Sequence, residues 1–217
     1  GDISVGNFDF NGVKLHFDYE TYLLDLIEID TLRMMTKNNS KDSYNYLFNI
    51  GGDLFINHPK NKSSRRDLPK FPSFISKKST KVYFDLPEEY GEEYDSSFYF
   101  SIDQFQIDSL DKSGLPKFEF PGTFFSNNIF EPIETNLVTM PDNSLGFIMN
   151  LEDNGLPAYK GKIKTYNNLL MDSTGLYISG NIEYKTTMLF SEKIRFFPDS
   201  LSGSLDKGFV YKGQFNN

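Results

Sequence analysis

The sequence has no cysteine, no tryptophan and only two histidines. Without cysteine there is no disulfide scaffold, thiolate metal site, iron–sulfur cluster or cysteine nucleophile. This absence suits the cytoplasm and also an envelope protein that dispenses with disulfides. No apolar run approaches the roughly 18 residues that span a bilayer. The longest, Tyr22 to Met35, is interrupted by Asp25, Glu28, Asp30 and Arg33, so no transmembrane segment is expected. Neither G-x-x-x-x-G-K-[ST] nor G-x-G-x-x-G occurs, and nothing points to a nucleotide. A net charge of −8 would repel a duplex, so nucleic acid is not an expected partner. The chain opens Gly1-Asp2-Ile3, without Met and without a charged, then apolar, leader. A mature form or a module excised from a longer chain is therefore expected.

What the chain has is rings. Of its 217 residues 22 are Phe and 13 are Tyr, in a composition only 38% hydrophobic. Such aromatic content argues against disorder and predicts an interior built from Phe rather than from branched aliphatics. The length fits one large domain or two small ones. We expect residues 1–217 to form a single β-rich module.

Gly, Pro, Asn, Asp and Ser cut the chain into short alternating runs, which reads as all-β. Asn11-Gly12, between Phe8-Asp9-Phe10 and Val13 to Phe17, predicts a hairpin turn. The strand after it is expected to place Val13, Leu15 and Phe17 on one face. Tyr22 to Met35 reads as a strand buried on both sides, although Leu23, Leu24, Ile27 and Met34 would also line a helix. Phe98, Phe100 and Ile102 share a face. The apolar set then switches to Phe105 and Ile107, which predicts a bulge near Asp103. Ile182, Tyr184, Thr186, Met188 and Phe190 read as one face of one strand. Ile194 and Phe196 alternate until Pro198 ends the run. Gly followed by alternating residues recurs at Gly52, Gly122, Gly146, Gly161, Gly180 and Gly208. That spacing is too uneven for a solenoid repeat and reads as strand starts after turns, or as corners of a rolled sheet. The expected architecture is an antiparallel β-sandwich or a rolled, solenoid-like sheet with a Phe/Tyr-rich core.

Candidate chemistry is sparse. His16 and His58 show no metal or triad spacing. Glu88-Glu89 and Glu92-Glu93 are adjacent carboxylates, which point apart on a strand and are solvated in a loop, unlike the facing pair of a glycosidase. Asp108 to Asp111, Asp142 to Ser144 and Glu152 to Asn154 are oxygen-rich, but none matches an EF-hand loop, and turns favour these residues anyway. No catalytic residue, metal or cofactor is expected. The charge map is more informative. Lys60, Lys62, Arg65, Arg66, Lys70, Lys77, Lys78 and Lys81 stand against Asp67 alone, in a stretch stiffened by Pro59, Pro69 and Pro72. All of these basic residues except Lys81 are the candidate binding residues, as a docking surface for an anionic partner. The competing reading is an internal brace against Glu88 to Asp95. Tyr90, Tyr94, Tyr99 and Tyr177 are the tyrosines expected at the surface, where they would stack on sugars.

Several phrases together carry a resemblance. They are Gly52-Asp53-Leu54-Phe55-Ile56-Asn57-His58-Pro59, Phe71-Pro72-Ser73-Phe74-Ile75-Ser76, Gly122 to Phe130, Gly155-Leu156-Pro157-Ala158-Tyr159-Lys160-Gly161-Lys162, Gly175 to Tyr184, and Phe196-Phe197-Pro198-Asp199-Ser200. In this order, over roughly residues 50 to 200, the chain resembles a region of very large, exported, β-rich, uncharacterised proteins of Bacteroidota. The resemblance implies a bacterial cell-envelope or extracellular location and transfers no catalytic residue. The expected function is a non-enzymatic structural or protein-interaction module of such a protein. Its expected partners are other segments of the parent protein or other envelope proteins. The alternative is a polysaccharide-binding module using exposed Tyr and the basic loop.

Overall fold

The computed structural model describes residues 1–38, 41–84, 94–111 and 118–210. The chain is all-β, its sheets are antiparallel, and one of them curls strongly. The strands are β1 (Asp2–Val5), β2 (Phe8–Asp18), β3 (Leu23–Asn38), β4 (Lys41–Phe55), β5 (Ser73–Ser76), β6 (Thr80–Tyr83), β7 (Phe98–Ile102) and β8 (Gln106–Ile107). They continue as β9 (Glu119–Ser126), β10 (Ile133–Thr139), β11 (Leu145–Ala158), β12 (Ile163–Asp172), β13 (Gly175–Tyr184), β14 (Thr187–Phe196), β15 (Leu201–Gly203) and β16 (Lys207–Val210). Among the described residues one 3-10 turn, Pro59–Asn61, interrupts the strands. The chain divides into two compact units: residues 1–82 with 101–122, and residues 83–100 with 123–217.

Unit 1 holds a sheet of order β1-β2-β3-β4-β5-β8. Its inner face carries Phe8, Phe10, Leu26, Ile29, Leu32, Leu47, Ile50, Leu54 and Phe74, all within 1% of full burial. The rings run in a chain. Phe10 meets Phe74 at 5.2 Å, Phe74 meets Phe105 at 6.0 Å, and Phe105 meets Phe120 edge-on at 4.7 Å. Each buried Phe contributes about 1.5–3 kcal/mol by leaving water, but the expectation of an interior built from Phe rather than from branched aliphatics is corrected: Leu and Ile outnumber Phe on this face, and the rings pack among them. Unit 2 runs β15-β14-β13-β12-β11-β10-β9-β7, with β16 also on β14. Its core includes Phe98, Phe124, Phe147 and Phe196, each with no exposed surface.

Three local expectations are corrected. The hairpin is not at Asn11-Gly12. β2 continues through them, with its register to β3 shifting on either side of Gly12, and the tight turn is Gly6-Asn7, with Val5 opposite Phe8 and Gly6 at φ +58°. At Gly12 a Cβ would lie 2.3 Å from the Glu28 carbonyl oxygen. Glycine is therefore there for a close strand approach, not for a turn. Pairing of β2 with β3 over most of its length outweighs one local turn preference, and past Gly12 the strand emerges: Val13 is 69% exposed. The second correction concerns residues 182–190, which form a hairpin. Tyr184 opposes Thr187 across Lys185-Thr186. A two-residue loop preserves alternation along the sequence but exchanges parity, so Ile182 shares its face with Leu189 rather than with Met188. Third, the switch after Ile102 is no bulge. The chain leaves β7 there and enters β8, which pairs with β5.

The strand reading of Tyr22 to Met35 holds as β3, with its faces rearranged. Leu26 pairs with Gly52 and Ile29 with Ile50, so Ile27 and Glu28 together oppose Gly51. This bulge turns both Leu26 and Ile29 inward and leaves Ile27 45% exposed. Of the recurrent glycines only Gly161 occupies a turn between strands. Gly52, Gly122 and Gly180 lie inside β4, β9 and β13.

Candidate interaction surface

Alternation along β4 sends Leu47 inward and Tyr44, Tyr46 and Phe48 outward, where they are 42%, 43% and 50% exposed. The Tyr46 and Phe48 rings lie nearly parallel, 15° apart with centroids at 6.3 Å. Register then builds two rows across the outer face: Tyr46, Arg33, Asp9, Ser4 and Phe48, Thr31, Asn11, Asp2. The Arg33 guanidinium sits 5.0 Å over the Tyr44 ring and donates to Asp9 at 2.9 and 2.6 Å. A hydrogen bond from Ser4, together with Arg33, holds the Asp9 carboxyl below its ordinary range against the opposing effect of burial. The Asn11 amide donates to Asp2. The result is a shelf of aromatic faces beside fixed charges, all on rigid strands. Ring faces on such a shelf offer apolar contact, and Arg33 and Asp9 offer directed polar contact.

Comparison with protein-family models, with curated proteins and with solved structures finds no match.

The basic run is divided between ion-paired and exposed residues. Lys62 pairs with Glu20 at 3.0 Å and lies 4.5 Å over the Tyr19 ring. Lys77 pairs with Asp53 at 2.5 Å and Asp25 at 3.5 Å, and the bond to Asp53 raises its pKa. Lys78 is exposed and helps hold the Glu28 carboxyl low, after the larger effect of Lys14. Lys60, Arg65, Arg66 and Lys70 are exposed. The loop around them is clamped by buried Asn61, which donates to the Arg66 carbonyl at 2.8 Å and accepts from its N–H at 3.2 Å. Such exposed ion pairs contribute about 0–1 kcal/mol each. The expected counterpart residues Glu88, Glu89, Glu92 and Glu93, and Tyr90 with them, lie outside the described residues. Asp95 accepts from Ser97 at its own turn.

His58 caps the 3-10 turn, its Nδ1 accepting from the Lys60 N–H at 3.1 Å, and His16 is exposed. Among the described residues no three His, Asp or Glu side chains are grouped to hold a metal ion, and no helix is long and apolar enough to cross a membrane. Three tyrosines differ from expectation, of which Tyr99 is half-buried and stacked on Phe125. Tyr94 is buried because its hydroxyl donates to the Phe196 carbonyl at 2.7 Å and accepts from the Leu176 N–H at 3.0 Å. Tyr177 is half-buried. Burial, then its hydrogen bond to Asp172, pushes its phenol up to about 12 from an ordinary 10.0. A raised acid pKa in the folded state means stability is intact below the unfolded value and lost as the unfolded chain ionises first. Unit 2 should therefore lose stability between pH 10 and about 12, and Tyr177→Phe should lose less. Equal urea-midpoint losses in both proteins over that window would contradict the assignment. Among the described residues the exposed tyrosines are instead Tyr19, Tyr44, Tyr46, Tyr83 and Tyr184. The sequence reading missed the shelf, although Tyr44-x-Tyr46-x-Phe48 against buried Leu47 is itself a period-two signal.

Proposed function

We propose that this chain is a non-enzymatic interaction module of a large bacterial cell-envelope protein, and that the outer face of β2 to β4 meets other segments of that protein or neighbouring envelope proteins. The observation that carries this reading is the half-exposed Tyr44, Tyr46 and Phe48 row locked beside the Arg33–Asp9 pair. Contiguous exposed apolar surface of this kind marks interaction sites in soluble domains, and aromatic and Arg residues are those most enriched at interface centres. The envelope location rests on the sequence resemblance. Lys60, Arg65, Arg66 and Lys70 add an exposed positive fringe that would steer an acidic partner.

The test is capture from the source cell envelope with the chain as bait. Tyr46→Ala with Phe48→Ala should reduce capture at least tenfold while changing unfolding free energy by under about 1 kcal/mol, because the removed rings are half in water. Arg65→Glu with Arg66→Glu should weaken capture at low salt and little at high salt. Capture insensitive to both pairs would dismiss this face as the binding surface.

A further inference from the structure

Unit 2 carries a groove that the proposed interaction surface does not use. Two turns frame it. Ser126-Asn127-Asn128-Ile129 follows β9, and Ala158-Tyr159-Lys160-Gly161 follows β11. Each is closed by a bond from its fourth N–H to its first carbonyl, both at 3.1 Å. In each turn both central residues have positive φ: 50° and 62° at Asn127 and Asn128, 50° and 58° at Tyr159 and Lys160. Asparagine tolerates this conformation, whereas Tyr and Lys adopt it rarely and only where their surroundings hold them. Tyr159 is held. Its N–H donates to the Ile129 carbonyl at 2.6 Å, and its hydroxyl sits 2.6 Å from the Phe197 carbonyl and 2.7 Å from that of Ser200. The strained turn projects Lys160 into the groove, where among the described residues it makes no ion pair.

The groove has one flat wall and a polar floor. Tyr99 and Phe125 stack at 4.8 Å and 21° to form the wall. Beside them is a cleft of about 590 Å³. Past Asn127, Asn128 and Lys160 it continues into a second space of about 340 Å³ that reaches Lys162 and Asp199. The first volume lies within the range of ligand sites, roughly 300–1,000 Å³, and the continuation makes the whole elongated. Hydrogen-bond capacity is mixed along it. The lysines donate, Glu131 and Asp199 accept, and the asparagine amides do both. Two cations stand against two anions, so the groove does not select for charge. A flat ring wall beside interspersed donors and acceptors matches a sugar ring, which presents a C–H face and a rim of hydroxyls that both donate and accept.

We propose that this groove binds an extended neutral polysaccharide, with one sugar ring against the Tyr99–Phe125 wall and hydroxyls of the next residues held by Asn127, Asn128 and Lys160. This site is separate from the shelf on unit 1 and stands or falls without it.

Affinity electrophoresis of the full chain tests this proposal in gels containing neutral polymers (mannan, xylan, a β-glucan) or acidic ones (polygalacturonate, alginate), at low and high salt. Retardation in at least one neutral gel, unchanged by salt, is expected. Asn127→Gly with Asn128→Gly retains the positive-φ turn and removes both amides. Lys160→Gly removes the ammonium and relieves the turn. Both variants should bind at least tenfold more weakly at an unchanged or raised unfolding midpoint, so lost binding cannot be put down to misfolding. Tyr99→Ala should abolish retardation. The proposal is overturned if no neutral polymer retards the chain, if only acidic polymers do and salt releases them, or if the glycine variants bind as the parent does.

Discussion

Replacing Phe124 with alanine should lower the unfolding free energy of unit 2 by about 4 kcal/mol. Phe124 has no exposed surface. Its ring centroid lies 5.0 Å from that of Phe147, 5.2 Å from Phe98 in an edge-on arrangement, and 6.0 Å from Phe84. Phe98 in turn stacks on Tyr94 at 3.7 Å. Truncating the central ring removes its own transfer free energy, about 3–5 kcal/mol with the cavity term. It also removes edge-to-face contacts of about 0.5–1.5 kcal/mol each. Rings are stiff, so their neighbours cannot collapse well into the space. With a urea slope of about 2 kcal/mol per molar, the midpoint should fall by roughly 2 M. Phe124→Leu, which refills much of the volume, should cost about 1–2 kcal/mol. A loss under about 1.5 kcal/mol for the alanine variant would show that the cluster does not depend on this ring.

Gly146→Ala should be nearly as damaging through the opposite mechanism. A Cβ at Gly146 would lie 1.9 Å from the Met171 carbonyl oxygen and 2.7 Å from the Met140 Cγ. The methionine side chain can shift, but the carbonyl belongs to β12, which pairs with β11 at the next position, Phe147 with Met171. Room for one methyl group therefore requires the strands to part. The expected cost is about 3 kcal/mol, at the upper end for overpacking because backbone rather than a side chain must yield. Hydrogen-exchange protection should drop first at Phe147 to Met149 and Leu169 to Met171. Gly161→Ala is the contrast. Its φ is +79° with open space around the position, so it should cost only the conformational strain, about 1 kcal/mol. If the two alanine variants were equally stable, the close strand approach at Gly146 would not be what keeps glycine there.

The basic run, the groove and the shelf were unequally legible. The basic run stood out as a string of like charges, but its division into paired Lys62 and Lys77 and exposed Lys60, Arg65, Arg66 and Lys70 depends on carboxylates that the β2–β3 turn, β3 and β4 bring alongside. Glu20, Asp25 and Asp53 are far from those lysines in sequence. The groove was less legible still. Gly122 to Phe130 and Gly155 to Lys162 were each noticed as phrases, yet nothing local says that Tyr159 N–H reaches Ile129, thirty residues away. The shelf lay within reach: Tyr44-x-Tyr46-x-Phe48 alternates with Leu47. It was missed because aromatics in a Phe-rich chain are expected inside.

By itself the sequence determined the class of structure. Alternation with period two is a property of a single strand. Phe98, Phe100 and Ile102 therefore announced a buried face correctly, whereas an interior of Phe in place of branched aliphatics did not follow, because Leu and Ile share the core with the rings. What only the tertiary structure decided is which strands meet, where hairpins fall and which parity faces the core. Asn11-Gly12 is a good turn by itself, but β2 pairs across it with β3 from Phe8 to Asp18, and a ladder that long outweighs one turn preference. The one extra residue at Ile27-Glu28, opposite Gly51, and the two-residue loop at Lys185-Thr186 each reverse parity beyond themselves. A one-residue change of register moves every following side chain to the other face, and register is set by a partner strand that no local window contains.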